Sequence, residues 1–494
     1  FGFGFGTPET AVADKTFRIA LTASPQVRGN ALAGGGVTAN FIWPAFYDSL
    51  TRIKNDGTVE PWLALSWEPV SDTEWRFTLR PNVRFANGEP FNAEAVKVTF
   101  DMLRTDTARS FMRAREMSYY PRIEIVDDLT VAIHTNEPNA MTAAYLSGQV
   151  FAPPRYLQEY SFQGLVDTPV GTGPFLVERW AADKITARQN PHAWTPPKTD
   201  ALEILIVPDS TARLQALETG QVDVALAISP DQIPLLEAAG HRATLRAHHR
   251  VYIFVLQTQD PASPLSDIRV RQALNYAINK DLITDILLAG LVEPASQPAL
   301  PLTQGYDPKL TPYPFDPVKA EQLLIDAGYG NGFTFTLEAV SGFMPNDTAI
   351  LQQIASDLSN VGITMNVKVI TYPTLLRTVL FGELNGDAFP MDFFNTTGDA
   401  LRSFVRNVNH ACSGLRPWYC DKTIQPIIDE ARVTMDRNRR AQLTRQVIRH
   451  YRDNASSVFL WPVLGLDGIH RRVTAWEPWL DVLNYHIVDV DERN

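Results

Sequence analysis

A chain of 494 residues exceeds what one hydrophobic core usually supports, so two or three lobes are expected. Its 45% hydrophobic and 20% charged content is that of an ordinary globular protein, and no apolar run reaches the roughly eighteen residues of a membrane span, so a soluble chain is expected. A formal net charge of −11 and an isoelectric point near 5.4 repel phosphate backbones, and with no basic run carrying interleaved aromatics the composition argues against nucleic acid as a ligand.

The opening FGFGFG, residues 1–6, fits neither a signal-peptide core nor a strand, and is set aside as an appended tail. In TFRIALTA, residues 16–23, Phe17, Ile19 and Leu21 alternate as in a strand. The segment EWRFTLRPNVRFANGEPFNAEAVKVTFDML, residues 74–103, reads as a hairpin followed by a helix. Trp75, Phe77 and Leu79 form one apolar face, Pro81-Asn82 turns the chain, Val83 and Phe85 continue the face, and Asn87-Gly88 turns it again. Asn92 is placed to cap a helix with Glu94 in its first turn and Val96, Phe100 and Leu103 on one side. GTGPFLVERW, residues 171–180, is a tight entry to a strand and lacks the lysine of a phosphate loop.

From 203 to 226 the pattern is strand, helix, strand, with Ser210 as expected cap, Leu214 and Leu217 buried, and Gly220 ending the helix. QTQDPASPLSD, residues 257–267, is a break where the chain could pass between lobes. Beyond it Val270, Ala273, Leu274, Ala277 and Ile278 repeat at helical spacing, and a second helix ends at Gly290. In FDPVKAEQLLIDAGY, Asp316 caps, Pro317 opens, Leu323 and Leu324 face inward, and Gly328 terminates a helix. FTFTLEAV and ITMNVKVI are strands flanking a helix built on Ile350, Ile354 and Leu358, so both halves read as α/β.

Catalytic motifs are missing: there is no G-x-S-x-G elbow, H-E-x-x-H, Walker A or dinucleotide fingerprint, so no enzyme, cofactor or metal is expected. His248-His249 would point to opposite faces of a strand. The only cysteines, Cys412 and Cys420, enclose Gly414 and Pro417. A disulfide, two free thiols or, with His410, part of a metal site are all compatible with that spacing, the first favouring an oxidising compartment.

Five ordered segments, LALSWEPVSDTEWRFTLRPNVRFANGEPFNAEAVKVTFD, GTGPFLVERW, ARLQALETGQVDVA, PLSDIRVRQALNYAINKDLITDILLAG and DPVKAEQLLIDAGY, together resemble the family 5 extracellular solute-binding proteins of ABC importers, which take up oligopeptides, dipeptides and nickel. The resemblance spans roughly 16–490 and implies an α/β, two-lobed periplasmic binding protein of venus-flytrap type with an extra subdomain in the first lobe. The implied ranges are 7–50, 171–256 and 468–494 for the main part of lobe I, 51–170 for its extra subdomain and 257–467 for lobe II. It implies a peptide or peptide-like ligand, or alternatively a metal chelate, opine or oligosaccharide. It further implies delivery to permease subunits in the inner membrane, a monomer, and a periplasmic location, Gram-negative because the visible start carries no lipid-bearing cysteine. Many relatives carry a disulfide where Cys412 and Cys420 fall. The loop in which dipeptide-binding relatives hold the ligand ammonium with an aspartate corresponds to 391–404, with Phe394, Asn395, Thr396 at the carboxylate position, and Asp399 one turn on; Asp392 could serve under a shifted register. The family arginine for the ligand carboxylate aligns with Ser341, and its usual tyrosine with Phe343, so both charged handles are expected to be missing. Tyr47, Arg416 and Trp418 complete the expected ligand-binding set, each with a plain packing or surface role as its alternative.

Overall fold

The computed structural model describes residues 15–492 except 26, 35–36, 112, 247, 382–384, 406–408 and 481, and the side chains of 37, 115, 376, 380 and 381. The expected tail, and residues 7–14 of the first lobe, lie outside the described residues.

β1 (Thr16–Leu21) sends Phe17, Ile19 and Leu21 into one core and Ala20 into another, so it is buried on both faces. The chain then forms a hairpin, β2 (Thr51–Ile53) and β3 (Val59–Pro61), and a four-stranded antiparallel sheet from β4 (Ala64–Ser71), β5 (Glu74–Leu79), β6 (Arg122–Asp127) and β7 (Thr130–His134), ordered β4-β5-β7-β6. The helix Ala93–Leu103 covers this sheet with Val96, Phe100 and Leu103 fully buried, and the Asn92 side chain accepts the Ala95 amide at 3.2 Å as its cap. The expected hairpin within 74–103 is corrected. β5 pairs with β4 and β7, while 84–90 closes on itself through one bridge between Arg84 and Pro90. The alternation of Val83 and Phe85 therefore records burial, not strand pairing.

β8 (Phe175–Trp180), β9 (Lys184–Gln189), β10 (Ala201–Ile206), β11 (Val224–Ala225) and β12 (Arg242–Arg246) return to β1. The glycines of the GTG turn are set by close approach. A Cβ on Gly171 would lie 2.2 Å from the Phe46 carbonyl oxygen and one on Gly173 2.5 Å from the Phe46 carbonyl carbon, so no larger residue fits. The helix Ser210–Glu218 is capped by Asp209, whose Oδ1 accepts the Ala212 amide at 2.8 Å, and not by Ser210, which is its first residue.

A second sheet holds β13 (Arg250–Leu256), β14 (Phe333–Ala339), β15 (Ile363–Val369), β16 (Ala388–Phe394) and β17 (Ser457–Pro462), ordered β15-β14-β16-β13-β17. β18 (Gly465–Ile469) then rejoins the first sheet, giving the order β12-β18-β11-β1-β10-β9-β8. The helices Ile268–Ala277, Pro317–Asp326 and Asp347–Ser359 pack on the second sheet through one core. After β18 the chain stays with lobe I, where Tyr485 and Val490 join the core of Phe17 and Phe175.

These sheet memberships move two expected borders. β13 was assigned to lobe I and 463–467 to lobe II, yet the chain changes sheet between Arg246 and Arg250 and returns between Pro462 and Gly465. The Pro- and Ser-rich stretch 257–267 is an ordinary loop inside lobe II that leads through Pro264–Ser266 into a helix.

Candidate functional site

The two places where the chain changes sheet, between Arg246 and Arg250 and between Pro462 and Gly465, are flanked by a pair of buried ion pairs. On the lobe I side, Arg246 donates from Nε and Nη2 to Asp467 at 2.8 and 3.0 Å, with its guanidinium 4.6 Å from the centre of the Phe41 ring. On the lobe II side Arg250 donates from Nε to Asp392 at 2.7 Å and again from Nη2, beside the Phe394 ring at 5.0 Å. Both carboxylates have no exposed side-chain surface. A desolvated aspartate is tolerable only with such a forked partner, so each crossing strand is locked to its own sheet.

The lobes touch elsewhere. His249 Nε2 lies 3.0 Å from the Asn55 carbonyl oxygen, and beside it Gly57, at the tip of the β2–β3 hairpin, meets Gly398 of lobe II backbone to backbone. A Cβ on Gly398 would stand 2.5 Å from the Gly57 oxygen, and both residues have φ between 70° and 80°, 80° and 72° respectively, so glycine is required twice over. Farther out, Tyr119, Glu137, Asn139, Met141 and Tyr145 of the extra subdomain and Val405, Ser413, Ile428, Asp429 and Arg432 of lobe II enclose a crevice of about 280 Å³. Glu137 and Arg432 pair across it, and Arg402 lies over the Tyr145 ring at 5.7 Å. Met141 and Tyr145 are buried in the lobe II core, so the subdomain is seated against that lobe.

The loop after β16 is the expected ligand segment, and most of its polar groups are already engaged. Asn395 is fully buried, donating from Nδ2 to the Pro298 carbonyl at 2.9 Å and accepting from the Ser403 hydroxyl at 2.9 Å. Asp399 caps the turn Ala400–Phe404 through the Leu401 amide and accepts from Arg440 Nε at 3.0 Å and Gln304 Nε2 at 2.9 Å. Burial pushes its carboxyl above the usual range, against the pull of Arg440. Thr396 on this loop and Phe394, the last residue of β16, are half-buried, and Phe394 faces Arg250.

The other expected residues scatter. Tyr47 is buried in the lobe I core, its hydroxyl donating to the Gly29 carbonyl at 2.9 Å, the packing alternative of the two open to it. Ser341 is exposed, and Phe343 is half-buried edge-on to Tyr252. Trp418 is 3% exposed, packed on Phe389 and His410, while Arg416 is exposed. Cys412 and Cys420 are joined by a disulfide. His410 stacks on Phe393, and burial pushes its imidazole down to about 3, which keeps it neutral. Among the described residues no group of three or more His, Cys, Asp or Glu could hold a metal ion, and no helix is long and apolar enough to cross a membrane.

Sequence reasoning missed Arg250, Glu137, Asp429 and Arg432. Arg250 and Asp392 carried a signal, since each is a lone charge in an otherwise apolar strand, RVYIFVL and AFPMDFF, and such a charge needs a buried partner. The crevice residues carried none, because they are surface-type residues brought together only by the seating of one lobe on the other.

Residues 58–405 match the family model for bacterial extracellular solute-binding proteins, family 5. The chain is 34% identical over 334 residues to the glutathione-binding protein GsiB of Pectobacterium atrosepticum, covering 65% of this chain and 63% of that relative, and 31% identical over 332 residues to GsiB of Escherichia coli strain K12, with the same coverage. The matched stretch thus spans less than two thirds of those relatives' length. In fold it is similar to the periplasmic binding protein DppA of Helicobacter pylori in complex with the peptide STSA (TM-score 0.83, 23% identity, 97% of this chain and 98% of that one) and to a Pseudoalteromonas dipeptide-binding protein in complex with Met-Leu (TM-score 0.84, 20% identity, 96% and 100%). The two sheets, the double crossing and the inserted subdomain are accordingly those of a two-lobed periplasmic binding protein, and the chain belongs to the family 5 bacterial extracellular solute-binding proteins.

Proposed function

We propose that this chain is the substrate-binding component of an ABC import system, capturing a peptide or peptide-like small molecule between its lobes and presenting it to inner-membrane permease subunits. It works in the periplasm, as a monomer, by binding without turnover. The observation that carries this reading is the double crossing. The chain changes sheet between Arg246 and Arg250 and again between Pro462 and Gly465, so two separately locked sheets are joined at neighbouring strand ends, the arrangement in which a ligand touching both lobes stabilises the closed form by its differential affinity. The glutathione-binding relatives support a peptide-like ligand.

The state of Asp399 and Ser341 favours a specialised ligand over free dipeptides in general. The buried carboxylate already serves Arg440 and Gln304, and a serine stands where the resemblance implies an arginine. Native mass spectrometry of freshly purified protein, followed by denaturation and identification of what is released, tests both points. A discrete peptide-like molecule supports the specialised reading, and a ladder of peptide masses supports general peptide uptake. A chelate, opine or oligosaccharide moves the ligand to another class, and turnover of added peptides or esters contradicts a binding role.

A further inference from the structure

We propose that the crevice between the extra subdomain and lobe II receives a cationic, ammonium-bearing end of the ligand, with Asp429 as its charge partner and the rings of Tyr119 and Tyr145 as its walls. This rests on the reading of the chain as a binding protein for peptide-like molecules and assigns the amine end a place that none of the expected ligand residues occupies.

The crevice is a cavity of about 280 Å³ with both lobes in its wall, so an occupant is held only when they come together. Among the described residues its charged lining is two carboxylates, Glu137 and Asp429, against one guanidinium, Arg432. Among the described residues Glu137 is matched by Arg432 across the lobes, and Asp429 Oδ1 accepts a neutral amide hydrogen from Gln425 Nε2 at 3.0 Å, which leaves Asp429 as the surplus charge there. Arg402 lies over the Tyr145 ring but does not line the cavity. A site with one surplus carboxylate and two phenol rings suits a compact cation, which gains a charge-assisted hydrogen bond from the first and quadrupole attraction from the second. The far wall is fixed: Ser413 lies within the loop closed by Cys412 and Cys420, and Ile428 is buried in the lobe II core. The buried loop 395–399, occupied by its own hydrogen bonds, has no carboxylate to spare for this task.

The test is retention of a pool of dipeptides and tripeptides including glutathione, each offered with a free and an N-acetylated amine, read by native mass spectrometry and identification of the released molecules. The wild-type chain should retain free-amine members over their acetylated twins by roughly two- to fivefold, the worth of one solvent-exposed charge pair. Asp429→Asn, at an exposed helix position, should fold normally and reduce that preference to near unity, whereas Asp429→Glu should keep it. Equal retention of acetylated and free forms by the wild type, or an undiminished preference in Asp429→Asn, overturns the proposal while leaving the peptide reading intact. Retention of no pool member by the wild type overturns the peptide reading and this assignment with it.

Discussion

The ion pairs at the hinge and the ion pair across the crevice are built from the same residue types and do opposite work. Arg246–Asp467 and Arg250–Asp392 each lie within one lobe, with side chains at most 7% exposed, and are paid for by forked hydrogen bonds. Glu137–Arg432 joins the two lobes with side chains 33% and 37% exposed. A buried pair is costly to break, and a half-exposed one is nearly free to break because water replaces the partner. The molecule therefore places its costly ion pairs inside each lobe and a weak one across the contact between them.

Substitutions should separate the two regions by the size of their effect. Asp467→Ala, which strands Arg246 in a desolvated site, is expected to lower unfolding stability by about 3–5 kcal/mol in a urea titration. A loss below about 1 kcal/mol would mean that water reaches the hinge. Reducing the Cys412–Cys420 bridge frees a short loop beside the crevice and should cost roughly 2–3 kcal/mol, measured as the shift between oxidised and reduced protein.

Acid sharpens the contrast through His410. Its folded value lies near 3 against the ordinary 6.5, so below about pH 6.5 the unfolded chain binds the extra proton and stability falls with falling pH toward 3. His470, held near 4 by burial first and then by the neighbouring His241, adds to the same fall. Replacing His410 by Phe should flatten the stability profile between about pH 6.5 and 4, and an unchanged slope would place that loss elsewhere. Glu137→Gln is expected to have the smallest effect, changing unfolding stability by less than about 1 kcal/mol while weakening retention of the peptide pool. A large loss of stability would make that pair a structural clamp.

Most of the architecture was legible, because strand alternation and helix capping are local. Asn92 and Asp316 cap as read, accepting the Ala95 and Lys319 amides. The misreadings share one cause, the partner of a segment. Val83 and Phe85 look like a second hairpin strand because burial and pairing leave the same alternation, and the change of sheet between Arg246 and Arg250 has no Gly or Pro in the sequence to mark it. At the site, Tyr47 and Trp418 are aromatic because they fill cores, and Asp399 is acidic because it caps a turn and neutralises Arg440. Glu137, Asp429 and Arg432 come from segments nearly 300 residues apart in sequence, joined only by the packing of one lobe on the other.

The central claim is that the two locked sheets move as bodies about the short links when a ligand is bound. Spin labels attached at Glu178→Cys, in β8 of the first sheet, and Val369→Cys, at the end of β15 of the second, sit on exposed positions of lobe I and lobe II, and the native cysteines are held in their disulfide. Pulsed distance measurement on ligand-stripped protein should show a broad or two-peaked distribution that collapses to one narrow peak when the peptide pool is added. A single distance, identical with and without the pool, would contradict the account.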